Sequence, residues 1–168
     1  VNYLAGVVKM RTDTAHALSE ISAEMSGNVA TIERVHARHV KKCGVLRALA
    51  QRGRERRVSY TAYQNALDAV LPFAPPPLQA TAWNLADVSG ISANFDYGTR
   101  ADIARVYGQQ SNFDRLAGDL AVDFRPLVFT RDGDFFLVAR NAALDCTDVT
   151  TGEERLVLAY HAETARLK

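Results

Sequence analysis

Four residues invite a chemical reading first: Glu33, His36, His39 and Cys43. On a helix, offsets of three and seven from His36 bring His39 and Cys43 to roughly one stripe. Imidazole and thiolate are ligands for zinc and haem, so His36, His39 and Cys43 form a candidate metal set. Glu33 three residues before His36 repeats the Glu-x-x-His spacing of di-iron bundles, but those need a second copy and further glutamates on facing helices. The chain has no second copy, and His16 and His161 are distant in sequence. The competing expectation is that His36 and His39 flank a helix seam, partly solvated, and no metal or cofactor is assigned. Cys43 and Cys146 are the two cysteines. They are either buried thiols or a disulfide, which would close a loop of roughly 100 residues worth about 4 kcal/mol in a chain-entropy view.

Other chemistries find less support. Ser59 and Ser89-Gly90 sit in no Gly-x-Ser-x-Gly elbow, and no glycine-rich phosphate loop occurs. Neither cysteine carries the surroundings of a catalytic thiol. The carboxylate pairs Asp132/Asp134 and Glu153/Glu154 read as turn and helix-start residues, favoured by the positive end of a helix. No catalytic residue is assigned and the chain is read as non-enzymatic.

Charge is more informative. The chain has 20 Lys and Arg against 19 Asp and Glu. Yet residues 38–57 hold Arg38, Lys41, Lys42, Arg47, Arg52, Arg54, Arg56 and Arg57 with Glu55 as their one acidic residue, a local +7. Cations near a helix C-terminus are favoured by the dipole, so part of this run is structural. Lys41, Lys42, Arg52, Arg54, Arg56 and Arg57 are the candidate partner-binding residues, with an acidic protein as the expected partner. Nucleic acid is not expected, because the run has no aromatic for base stacking before Tyr60 and the chain as a whole is not basic.

The elements that must carry these residues read as helices. Leu18, Ile21, Met25, Val29, Ile32, Val35, Val40, Cys43, Leu46 and Leu49 recur at steps of mostly three and four, the amphipathic period. They predict one helix from about Asp13 to Gln51, on the order of 60 Å long, with a kink near Gly27. Ser59 should cap a second helix to about Leu71, ended by Pro75-Pro76-Pro77. A third should run from about Leu78 to Val88 and carry Trp83, expected in the core with the other aromatics. A fourth should start at Thr99, with Asp102 completing an approximate capping box, and reach about Phe124. Residues 127–138 read either as a hairpin about Asp132-Gly133 or, with Asp132 as an N-cap, as the opening of a short helix to Leu144. Thr150 and Glu153 read as a capping box opening the last helix.

Hydrophobic residues make up 48% of the chain and charged residues 23%, which excludes a disordered chain. The expectation is therefore a single all-α domain: a long N-terminal helix over 1–52 and four to five shorter helices over 58–168 packed on it. The stretches Ala82-Trp83-Asn84-Leu85-Ala86 to Gly90, Tyr107-Gly108-Gln109-Gln110, and Asp148 to Glu153 with Leu156 and Tyr160 resemble an uncharacterised group of bacterial proteins. Those have one N-terminal membrane span followed by a helical extracytoplasmic domain. The resemblance spans about Ala15 to Leu167 and rests on packing residues, so it implies a fold and a topology but no activity. The topology it implies is the periplasmic or extracytoplasmic face of a bacterial membrane, and the leading expectation for function is a non-enzymatic sensing, scaffold or protein-interaction domain. The anchor would be a segment upstream of Val1, since the apolar run Leu4–Val8 is far short of the ~20 residues a span needs. A homodimer along the long helix is a further expectation. A helical small-ligand or metal-binding protein is the alternative.

Overall fold

The computed structural model describes residues 2–54, 59–123 and 135–168. Among them there are five α-helices and no strand: α1 (Asn2–Arg54), α2 (Tyr60–Val70), α3 (Thr81–Val88), α4 (Tyr97–Asp123) and α5 (Phe135–Arg166), with a 3-10 turn at Ile91–Asn94. The protein is all-α with a long N-terminal helix. That helix begins eleven residues earlier than its capping signals indicate and passes through Gly27 unbroken. Of residues 127–138, those up to 134 lie outside the described residues, and 135–138 open α5.

Two compact units divide the chain. The first comprises Val1–Ile32, Pro77–Ser111 and Arg155–Lys168. Its core is Ile21, Met25, Val29 and Ile32 of α1, Ile103, Val106 and Tyr107 of α4, and Leu156 and Tyr160 of α5. The second comprises Glu33–Pro76 and Asn112–Glu154. Cys43, Leu46 and Leu49 of α1 are buried there, with Leu67 and Val70 of α2, Phe113, Ala117 and Leu120 of α4, and Ala142, Cys146 and Val149 of α5.

The stripe of α1 departs from the expected one in an instructive way. Val40 is 47% exposed, whereas the neighbouring His39 is 3% exposed. One residue is 100° of helix rotation, so a seam running 32, 36, 39, 43, 46 must turn Val40 outward. Asn28 is buried by the same register. The apolar residues Leu4, Val8 and Met10 at the start of α1 are exposed.

Helix ends follow local chemistry where the side chain is free to act locally. Ser59 Oγ accepts from the Ala62 N–H at 3.2 Å and caps α2. Gly90, at φ 77°, supplies the left-handed residue that stops α3, a conformation strained for any residue with a Cβ. The cap of α4 is Asp96, whose Oδ1 accepts from Thr99 N–H at 3.0 Å, not Thr99 as its sequence suggests. The Thr150/Glu153 box does not operate: α5 runs through both residues, and Thr150 Oγ1 donates to the Thr147 carbonyl at 2.9 Å.

Cys43 and Cys146 are bonded, tying α1 to α5 across a sequence separation of 103 residues. Reduction, or replacement of both cysteines by Ala, is expected to lower unfolding stability by about 2–5 kcal/mol. Urea titration with and without reductant measures it, and coincident curves would show that the bond contributes nothing.

Candidate functional site

The second unit buries a carboxylate between two imidazoles. Glu153 of α5 is fully buried. Its Oε2 lies 2.8 Å from His36 Nδ1 and its Oε1 lies 2.5 Å from His39 Nδ1. The other nitrogen of His39, Nε2, is 3.1 Å from the Ala74 carbonyl. Phe73 stacks on the His39 ring at 4.3 Å between centroids. Nε2 of His36, which is part-exposed, lies 3.5 Å from the exposed Glu154 carboxylate. Each part is positioned by its element. The three-residue step puts His36 and His39 on one face of α1, and the loop from Leu71 brings up the Ala74 carbonyl.

This geometry decides the fate of the proposed metal set. His36 and His39 do converge, but Cys43 does not join them, because its sulfur is bonded to Cys146 and offers no thiolate. Glu33 is exposed. Among the described residues no group of three or more His, Cys, Asp and Glu is arranged to hold a metal ion. The residue that sequence reasoning missed is Glu153. Its only signal, three residues after Thr150, pointed to a helix cap, and nothing local marks a glutamate that will meet histidines 114 and 117 residues away.

The basic residues fall into separate situations. Lys41 and Arg52 are exposed on α1, as is Arg38. Lys42 is half-buried, with Nζ 2.5 Å from the Pro72 carbonyl. Burial, and then the positive charge of Arg38, push its ammonium below the usual lysine range. Arg47 donates to Thr147 Oγ1 at 2.8 Å. Arg54 closes α1, and Arg56 and Arg57 lie outside the described residues.

In the first unit a second polar network holds loop and helices together. Asn28 Nδ2 donates to the Gln79 carbonyl at 2.8 Å while its Oδ1 accepts from the Gln79 N–H at 2.9 Å, so the side-chain amide pairs with the backbone as a strand would. Nδ2 also donates to the Tyr160 hydroxyl at 3.2 Å, and that hydroxyl donates to Gln110 Oε1 at 2.5 Å. Glu24 Oε2 accepts from the Ala82 N–H at 2.9 Å. Ala80, at the cap position of α3, has no side chain to offer. Glu24 therefore caps α3 from another helix. Its Oε1 accepts from the Tyr107 hydroxyl at 2.6 Å, and burial followed by that carboxylate push the phenol far above its ordinary range. Trp83, expected in the core, is half-buried and stacks on Tyr107 at 6.1 Å. A one-sided eight-residue helix cannot enclose an indole.

Next to this network lies a groove of about 570 Å³. Asp13, His16, Glu20 and Glu24 of α1 line one side, and Leu85 and Ile91 contribute apolar surface opposite. Among the described residues no lysine or arginine lines it.

Compared with family models, curated proteins and solved structures, the chain matches none.

A buried carboxyl in the first unit supplies a pH test. Glu163 is 2% exposed. Burial, and then the charge of Asp102, push its carboxyl above the usual range, with Arg166 and Arg105 pulling the other way. A raised carboxyl holds its proton more tightly folded than unfolded, so its stabilising contribution belongs to acid pH and is lost as pH rises through the folded value. Glu163→Gln keeps the group neutral. It is expected to raise the melting temperature at pH 7, with the gain shrinking towards pH 4, near the ordinary glutamate value of about 4.3. A variant less stable than wild type at pH 7 would contradict this.

Proposed function

We propose that the chain is a non-enzymatic helical sensing and protein-interaction domain that works in an oxidising, extracytoplasmic compartment and docks an acidic protein. The observation that carries the docking is the set of exposed cations Arg38, Lys41 and Arg52 on the C-terminal part of α1, continued in sequence by Arg54, Arg56 and Arg57. Lys42 of the candidate set is half-buried and places one donor of its ammonium on the Pro72 carbonyl. The compartment is supported by the Cys43–Cys146 bond, since disulfides persist where thiols are not kept reduced. Replacing Lys41, Arg52, Arg54, Arg56 and Arg57 with Glu should leave thermal unfolding nearly unchanged, at about 0.5 kcal/mol or less per exposed site. It should abolish capture of an acidic partner in a pull-down from the source cell, and wild-type capture should weaken with salt. Capture indifferent to both reversal and salt would overturn the docking reading.

A second reading, a small-ligand-binding protein, is favoured by the groove in the first unit. Carboxylates on one side and apolar surface on the other fit an amphiphile with a cationic head. Titration with dodecyltrimethylammonium below its micellar concentration should change Trp83 fluorescence saturably, because Trp83 shares α3 with Leu85 of the groove wall. The change should be lost in Glu20→Lys. A linear, unsaturable response would dismiss this reading.

A further inference from the structure

We propose that the His36–Glu153–His39 cluster is a proton-operated lock, which closes the second unit only while it holds more protons than two neutral imidazoles carry. A carboxylate and a carbonyl can only accept. His39 has Nδ1 on Glu153 and Nε2 on the Ala74 carbonyl, so both ring nitrogens meet acceptors. A neutral imidazole has a single N–H. The two hydrogen bonds of His39 therefore need one proton more than the neutral ring and a charged Glu153 supply between them. The count is the same whether that proton sits on Nδ1 or on Oε1. His36 adds one hydrogen bond to the cluster, between Nδ1 and Glu153, while its Nε2 lies 3.5 Å from the exposed Glu154 carboxylate.

The described titratable groups of the elements around the cluster are these. From the loop the rings meet the Ala74 carbonyl and the Phe73 ring, and Lys42 is held on the neighbouring Pro72 carbonyl. The titratable groups of α2 whose side chains are described are Tyr63, buried, and Asp68, exposed. Those of α4 that are described in this unit are Asp114, Arg115 and Asp119, all exposed. On α5, Arg140 and Asp148 are exposed and Asp145 is half-buried. When His39 loses its extra proton, a ring lone pair faces a buried carboxylate oxygen, or the Ala74 carbonyl loses its donor. Either way a buried polar group is left unpaired, which costs more than the bond itself was worth. What comes free is the contact of α1 with α5 and with the loop at Phe73–Ala74. This goes beyond the docking reading and does not rest on it.

The sign follows from linkage. The closed geometry of His39 needs one proton more than a neutral ring and an ionised carboxylate supply, so stability is expected to fall as pH rises. The experiment combines two measurements on the full oxidised chain. Two-bond nitrogen–proton NMR of the imidazoles at pH 6 should show both nitrogens of His39 protonated, with the exposed His16 and His161 as internal references. Urea midpoints should fall between pH 6 and pH 8 in wild type and stay level in Glu153→Gln. The glutamine amide can accept from His36 Nδ1 and donate to His39 Nδ1, so both rings are satisfied while neutral. The same pH slope in wild type and Glu153→Gln would overturn the lock. Should the variant fail to fold, the wild-type titration decides, since a urea midpoint that stays level between pH 6 and pH 8 overturns it as well.

Discussion

Burying the carboxylate of Glu153 is the constraint on which the second unit is organised. An ionised carboxyl taken out of water costs several kcal/mol unless opposite charge and hydrogen bonds replace its hydration. Both oxygens are supplied by imidazole nitrogens, and those rings must in turn be held from behind. The Ala74 carbonyl and the Phe73 ring do this for His39. The proline-rich loop is therefore more than a helix terminator. Its prolines donate no N–H, and it is the Ala74 carbonyl just before them that completes the buried network. Seven residues from His36, Cys43 is bonded to Cys146, seven residues before Glu153. A covalent and an electrostatic link thus join the same two helices two turns apart.

The first unit solves a related problem by pairing side chains with backbone groups. Its loop needs partners for backbone donors and acceptors that no helix provides, and Asn28 satisfies both sides of Gln79. Glu24 does the same for the first turn of α3, where Ala80 provides no cap. The carboxylate at a helix N-terminus is favoured by the dipole as well as by the hydrogen bond. Among the described residues, no buried side-chain nitrogen or oxygen lacks a partner. Polar satisfaction, and not apolar burial alone, is what makes each register specific.

The docking and ligand readings draw on different parts of this architecture. The basic face belongs to the part of α1 that the second unit anchors through Cys43 and His39. The groove belongs to the first unit, beside the Glu24–Tyr107 pair. Lys42 is one of eight clustered cations in sequence, and one of its ammonium donors is placed on the Pro72 carbonyl.

The sequence by itself determined the class of the protein and most of its helices. Apolar steps of three and four, Ser59 as a cap, the prolines after Leu71 and Gly90 as a stop are local signals, and a helix obeys local rules because its hydrogen bonds close within four residues. Local signals failed where a side chain had a distant partner. Thr150 and Glu153 match a capping box in spacing, yet Glu153 is drawn to His36 and His39 because a buried charge gains more from two imidazoles than from its own backbone. The stripe of α1 was legible, but its phase was not. Whether Val40 or His39 faces inward depends on what stands opposite, and Glu153, Ala74 and Phe73 lie 114, 35 and 34 residues away from His39. The choice between free thiols and a disulfide was likewise open in the sequence, since a bond needs the α-carbons within reach, here 5.6 Å, and only packing sets that distance.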